Sequence, residues 1–164
     1  MKKDQKLRSD RLVFYEQDIE RLHAELDAFL ELSKSRCALL IDRDGHLVTQ
    51  RGEPTATSFE AISALVAGSF AATKEMARLL GETEFTVMFH QGRRDSIQLQ
   101  LVGERTLLVV LFDERTNLGL VRYYSQETAE RLQVVFEQIL QEERSGDLGA
   151  DFSNDAKNAL DELF

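Results

Sequence analysis

Three loop arginines are the first residues in this chain to suggest chemistry. Arg93 and Arg94 lie in the turn-like run Gly92-Arg-Arg-Asp95, and Arg115 follows the acidic pair Asp113-Glu114. A guanidinium offered from such a loop can neutralise charge on a transferring phosphoryl group and raise a rate by about 10³–10⁵. The simpler reading is a set of solvated turn arginines, because the rest of a phosphate site is missing. Gly92-Arg-Arg-Asp95 lacks the repeated glycines and lysine of a phosphate-cradling loop, and Gly68-Ser69 is not a nucleophile elbow. His23, His46 and His90 fall on three predicted elements, with no pair spaced for metal or general-base work. The single cysteine, Cys37, rules out an internal disulfide and a Cys-rich zinc motif, and at the head of an apolar run it reads as a small core hydrophobe. The residues offer no active site of their own, and neither a cofactor nor a metal is expected.

The unusual stretch is a surface rather than a constellation. From Thr57 to Gly81 the chain reads TSFEAISALVAGSFAATKEMARLLG. Thr57 and Glu60 have capping-box spacing, and Gly81 stands where a helix commonly stops in a left-handed conformation, so the stretch predicts a helix of six or seven turns. Ala61, Ala64, Ala67, Gly68, Ala71 and Ala72 leave a wide band of it nearly bare. A glycine inside a helix costs about 1 kcal/mol against alanine, which suggests that something is pressed close to the backbone there. The bulky residues Phe59, Ile62, Leu65, Val66, Phe70, Met76, Leu79 and Leu80 are too many for one narrow stripe. Two buried faces are predicted, one against the chain's own sheet and one against another body. The bland alternative for the bare band is tight packing on that sheet.

The elements that hold this helix follow from periodicity. Leu12, Tyr15, Ile19, Leu22, Leu26 and Phe29 recur at three and four, an amphipathic helix within residues 7–34. Cys37–Asp42 and His46–Gln50 flank Asp44-Gly45 and read as a hairpin. Strands are predicted at Glu84–Gln91 and Ser96–Val102, and Thr106–Phe112, apolar throughout, should be central and covered on both faces. Asn117 is a candidate N-cap for a last long helix to about Glu142, although Val121–Tyr124 also suits a strand. This order predicts an α+β fold with a five-stranded antiparallel sheet sandwiched by helices, α-ββ-α-βββ-α.

Beyond it, Ser145–Ser153 reads as a flexible linker, and Ala156, Ala159, Leu160, Leu163 and Phe164 as the apolar side of a short helix that would dock in a partner's groove. The segment 141–164 holds seven acids against Arg144 and Lys157. Overall, 20 basic against 29 acidic residues leave a net charge of −9, which argues against nucleic acid or an anionic membrane as the main partner. No uninterrupted apolar run of about 18 residues appears, so membrane insertion is not expected and a cytoplasmic protein is.

Four motifs in order, ALLIDRDGHLV, LVAGSFAATKEMARLLGE, FHQGRRDSIQLQLVG and LLVVLFDERTNLGLVR, give the chain a resemblance to the roadblock family over roughly residues 12–141. The resemblance divides the chain into an N-terminal extension at 1–11, a roadblock domain at 12–143, and a linker with a short interaction helix at 144–164. It implies a homodimer, joined through the long helix and the strand after it, that carries a small Ras-like GTPase on a shared helical face. It further implies stimulation of GTP hydrolysis by moving the GTPase's own switch residues, without an inserted arginine, in cell polarity and motility at a cell pole. Ala64 and Gly68, with Ala67, Ala71 and Ala72 nearby, are the residues it would place against the GTPase, and Leu160, Leu163 and Phe164 would form a second contact. A scaffold that tethers a GTPase without altering hydrolysis, and a sensor domain with a small ligand, are the competing readings.

Overall fold

The computed structural model describes residues 14–53 and 58–163, the side chains of 147–155 apart. The elements run α1 (Glu16–Ser33), β1 (Cys37–Asp42), β2 (Leu47–Gly52), α2 (Phe59–Leu79), β3 (Val87–Gln91), β4 (Ser96–Val102), β5 (Thr106–Phe112) and α3 (Leu118–Leu163). The five strands form one antiparallel sheet in the order β2-β1-β5-β4-β3. The predicted fold class is the observed one, with β5 in the middle and every residue of β5 buried.

The two faces of β5 carry the two cores. Leu108, Val110 and Phe112 join Ala38 and Leu40 of β1 under α1 and α3, where Leu22, Leu26, Phe29, Leu132 and Phe136 close the layer. Leu107, Val109 and Leu111 join Cys37, Leu39 and Ile41 under α2, which supplies Val66 and Phe70. A strand apolar on both sides has no stable place except between two such layers.

Each helix end has a local cause. At the start of α1 the Asp18 carboxylate accepts the Tyr15 N–H at 3.0 Å, and Phe14 packs with Ile19 against the core beside the cap. α2 is capped by Ser58, whose hydroxyl accepts the Ala61 N–H at 3.3 Å. The expected cap residue Thr57 lies outside the described residues, and the capping contact belongs to its neighbour. At the other end the Glu82 N–H bonds to the Ala77 carbonyl and the Gly81 N–H to that of Arg78, with Gly81 at φ +84°, so the predicted glycine stop is present as a Schellman turn. Asn117 caps α3 through its side-chain oxygen, 3.0 Å from the Leu120 nitrogen. Val121–Tyr124 is helical rather than strand.

Two elements differ from the sequence pattern. The third strand is shorter than its alternation suggested, beginning at Val87 rather than Glu84. More consequentially, α3 continues through Ser145–Ser153, where a linker was expected, and reaches Leu163 without a break. Its glycines, Gly146 and Gly149, are each unfavourable in a helix by about 1 kcal/mol but do not stop it. Among the residues whose side chains are described, Ile139 is the last of α3 in the core, and the helix runs on from it for about 36 Å at 1.5 Å per residue.

The fully buried Phe29 anchors α1 to the sheet. Phe29→Ala is expected to lower unfolding stability by about 3–5 kcal/mol, measured by urea titration at fixed protein concentration, whereas Leu163→Ala should change it by less than about 0.5 kcal/mol. A small effect at Phe29 would mean that α1 is not part of the cooperative core.

Candidate partner-binding surface

α2 has one face on the sheet and one on nothing described. Ser63, Val66, Ala67, Phe70 and Ala77 point inward. On the opposite side Ala61, Ala64, Gly68, Ala71 and Ala72 are exposed, and Leu65 (75% exposed), Met76, Leu79 (81%) and Leu80 flank them. Single exposed leucines are ordinary, but a row of large apolar residues along one helix stripe is the form of an interaction surface. Of the residues that the sequence grouped into a bare band, Ala64, Gly68, Ala71 and Ala72 come together on this outer face. Ala67 does not: it is 7% exposed and packs inward.

The small residues have two separate causes. Gly45, in the β1–β2 turn at φ +93°, comes so close to α2 that a Cβ built on it would lie 3.1 Å from the Ala64 Cα and 3.3 Å from the Ala67 Cβ. Ala67 and the backbone at Ala64 therefore admit the hairpin turn, which is the internal-packing explanation. Gly68 has no such reason, since a Cβ there would meet nothing within 4 Å. The glycine that internal packing does not require is the one at the centre of the exposed stripe.

The connection from α2 to β3 is fixed by Arg43. Its guanidinium makes two 2.9 Å contacts to the Glu84 carboxylate and lies 5.6 Å from the Phe70 ring centroid. This charged, partly buried clamp ties the hairpin turn, the inner face of α2 and the loop before β3 into one unit. β3 ends the sheet, with Phe89, His90 and Gln91 exposed, so the outer face of α2 and an unpaired strand edge occur in consecutive elements.

The loop arginines separate into two kinds. Arg115 is held at 2.8 Å to Glu53 and 3.1 Å to Asp113, and Arg36 reaches Asp95 at 2.8 Å and Glu53 at 3.5 Å. Hydrogen bonds from Arg115 hold the Glu53 and Asp113 carboxyls below their usual range, and those same bonds raise the guanidinium. A side chain bound this way braces the sheet end rather than reaching outward. Arg93 and Arg94 are exposed in the β3–β4 turn. Burial pushes the Cys37 thiol up to about 11, which suits a core residue and not a nucleophile.

Histidine spacing alone does not reveal one grouping, which pairs a histidine with two acids. The ligand atoms of Asp42, Asp44 and His46 lie within 4.8 Å of one another in the β1–β2 turn. One Asp42 oxygen accepts the N–H groups of Asp44 and His46, both at 2.9 Å, and the other lies 3.1 Å from His46 Nδ1. The carboxylate is occupied in shaping the turn that carries Gly45 against α2.

Residues 24–112, more than half of the chain, match the Roadblock/LC7 domain. The chain belongs to the roadblock/LC7 family. Among solved structures this roadblock chain is similar to the gliding protein MglB of Thermus thermophilus, with 36% identity, a TM-score of 0.74, and coverage of 77% of this chain and 96% of that one. It is similar also to MglB of Myxococcus xanthus, at 35% identity and TM-score 0.72, covering 78% and 96%. A further MglB structure, described as having a tetrameric arrangement, matches at 36% identity and TM-score 0.75, covering 78% and 96%. A curated relative, an uncharacterised protein of Methanocaldococcus jannaschii, is 28% identical over 110 residues, 65% of this chain and 95% of its own.

In this roadblock domain the expected second contact is divided. Leu160 and Leu163 are exposed near the end of α3, and Phe164 lies outside the described residues. Among the described residues no helix is long and apolar enough to cross a membrane. What the sequence could not show was the partnership of Gly45 with α2 and of Arg43 with Glu84, since both join residues far apart in the chain. The Asp44-Gly45 hairpin signal located the first turn but not what it touches.

The two glycines give opposed expectations in thermal unfolding at fixed protein concentration. Gly68→Ala should stabilise the isolated fold by up to about 1 kcal/mol, because the helix gains and no neighbour is displaced. Gly45→Ala should destabilise it by at least about 1–2 kcal/mol, through its positive φ and the crowding at Ala64. Equal effects at the two positions would contradict the separation of roles. For the ion-pair cluster, Arg115→Ala should move the titration midpoints of Glu53 and Asp113 upward in carboxyl NMR. Because both are lowered in the folded state, their stabilisation is present above the unfolded carboxyl pKa values and is lost as pH falls through the folded ones.

Proposed function

We propose that this protein is a homodimeric regulator of a small Ras-like GTPase resembling MglA, and that it stimulates GTP hydrolysis without an active site of its own. The observation that carries this reading is the outward stripe of α2, in which Gly68 has no internal neighbour and Leu65 and Leu79 stand exposed. Similarity to MglB over most of the domain supports it. Two copies would meet through α2 and the β3 edge, which joins their sheets and brings two stripes into one platform. A bare helical surface lets a partner's backbone approach closely, and the leucines at its margins supply apolar area for burial.

Stimulation would come from positioning. A platform that binds the switch-ordered form of the GTPase more tightly than its other forms shifts the population toward it, and each tenfold preference corresponds to about 1.4 kcal/mol. No arginine need enter the nucleotide site: Arg115 is already bound to Glu53 and Asp113, which supports a bracing role for it. Leu160 and Leu163, at the end of the α3 extension, would give the GTPase a second contact away from the nucleotide. The setting is cell polarity or motility, in the cytoplasm with recruitment to a pole.

Phosphate release from a purified Ras-like GTPase tests this directly. Wild-type protein should accelerate single-turnover hydrolysis, and Gly68→Arg should abolish the acceleration while leaving the fold intact by circular dichroism, because the close approach cannot accept a long charged side chain. Normal stimulation by Gly68→Arg would remove α2 from the contact. Tight binding with no acceleration by the wild-type protein would instead establish the tethering scaffold. Arg93→Ala and Arg94→Ala should each retain stimulation within about threefold, and a loss of the 10³–10⁵ size expected of a finger at either position would overturn positioning as the mechanism. Removing residues 146–164 should weaken GTPase binding without unfolding the domain.

A further inference from the structure

We propose that in the homodimer, on whose existence this inference rests, β3 pairs antiparallel with its copy in one register, with Phe89 on the two-fold axis opposite Phe89 of the partner subunit. The backbone fixes the parity. The Thr86 carbonyl accepts the Leu101 N–H at 2.9 Å, and the Gly92 N–H donates to the Asp95 carbonyl at 3.0 Å, at the two ends of the β3–β4 ladder. Both bonds lie in the register that pairs Met88 with Leu99 and His90 with Ile97, so the even-numbered residues of β3 direct their N–H and C=O groups to β4. Val87, Phe89 and Gln91 therefore turn theirs to the open side. A residue with outward groups must face another of the same kind. Only an axis at Phe89 then uses all five residues of the strand, setting Val87 against Gln91, Met88 against His90, and Phe89 against itself.

Edge chemistry and charge select a second copy as the occupant. β3 keeps a regular register with β4 through all its pairs, and VMFHQ holds no Lys, Arg, Asp or Glu. The opposite edge carries both protections against pairing: the register of β2 with β1 slips at Leu40/Ile41, and the Arg51 guanidinium lies there, 2.8 Å from Asp27. A chain of net charge −9 repels its own copies, but in α2 Glu60 and Glu75 are balanced by Lys74 and Arg78, so two copies can approach on this side.

The register assigns side chains on both faces. Phe89, 37% exposed, stacks on Phe112 with ring centroids 5.9 Å apart. At the axis the two pairs become one row of four rings on the face away from α2. On the other face the Thr73 hydroxyl of α2 lies 3.2 Å from Met88 Sδ, one residue from the axis. Met76, Leu79 and Leu80, exposed within about 11 Å of Thr73 along the helix, stand at the same edge and are the part of the stripe that the second copy covers. Ala64, beside the Gly45 turn at the other side of the sheet, is left for a different body.

Disulfide trapping in the full chain reads the register. Residues opposite each other in a hydrogen-bonded antiparallel pair have Cα atoms about 5.5 Å apart, which a disulfide spans, whereas diagonal neighbours lie about 7–8 Å apart, which it does not. Under mild oxidation at micromolar concentration, Phe89→Cys should run as a covalent dimer on a non-reducing gel. Met88→Cys and His90→Cys should each remain single chains, and the double variant Met88→Cys with His90→Cys should link. The native Cys37 is buried and adds no link of its own. Because the double variant retains Phe89, it decides the register even where loss of that ring unfolds the single variant. Linking by Met88→Cys or His90→Cys alone would overturn the register, and a protein that sediments as a dimer while neither Phe89→Cys nor the double variant links would overturn pairing through β3. Wild-type protein that sediments as a monomer would overturn this inference together with the homodimer it rests on, which separates the two failures.

Discussion

The structure depends on one constraint: β5 is apolar on both faces and so must lie between two layers. Leu107, Val109 and Leu111 demand a cover on one side, and Leu108, Val110 and Phe112 on the other. α1 and α3 meet the second demand as a packed pair, whereas α2 meets the first alone. A lone helix over a sheet cannot bury its whole circumference. Its outer side must then be polar or await another body, and in α2 it carries Leu65, Met76, Leu79 and Leu80.

That outcome separates packing from function within one helix. Burying a leucine contributes about 1.5–3 kcal/mol, so residues left outside represent stabilisation that only an assembly can recover. The small residue at 67 is explained by the chain itself, since the hairpin turn at Gly45 closes on the Ala67 Cβ and on the backbone at Ala64. Gly68 is what remains when that explanation is subtracted. Arg43 then couples the two ends of the unit, because its bond to Glu84 and its place by Phe70 fix α2 relative to the strand that ends the sheet.

Most of the fold was legible because its signals are local. The limits of β1, β4 and β5 follow from apolar runs between Asp-Gly and Gly-containing turns, and the Asn117 cap and the Gly81 stop are visible as residue types at helix ends. The failures have physical causes too. The alternation Ile97, Gln98, Leu99, Gln100, Leu101 gave the strand but not its cover: Gln98 is 0% exposed because it lies on the same side as Val102, toward α1 and α3. Composition predicted a linker in 145–153, where helix geometry continues despite two glycines. At the surface, Ala64, Gly68, Ala71 and Ala72 are exposed together, whereas Ala67, four residues after Ser63 and three before Phe70, shares their inward face, a phase that grouping by side-chain size alone passed over.

Hydroxyl-radical footprinting of the α2 stripe is the most direct measurement of whether it closes on another body. Reactivity at Leu65, Met76 and Leu79 should fall well below that of a freely exposed side chain at micromolar concentration, through self-association, or on adding the GTPase, and should rise again when the protein alone is diluted to nanomolar concentration. Full reactivity at all three positions under every one of these conditions would contradict the claim that the outer face of α2 is an interface.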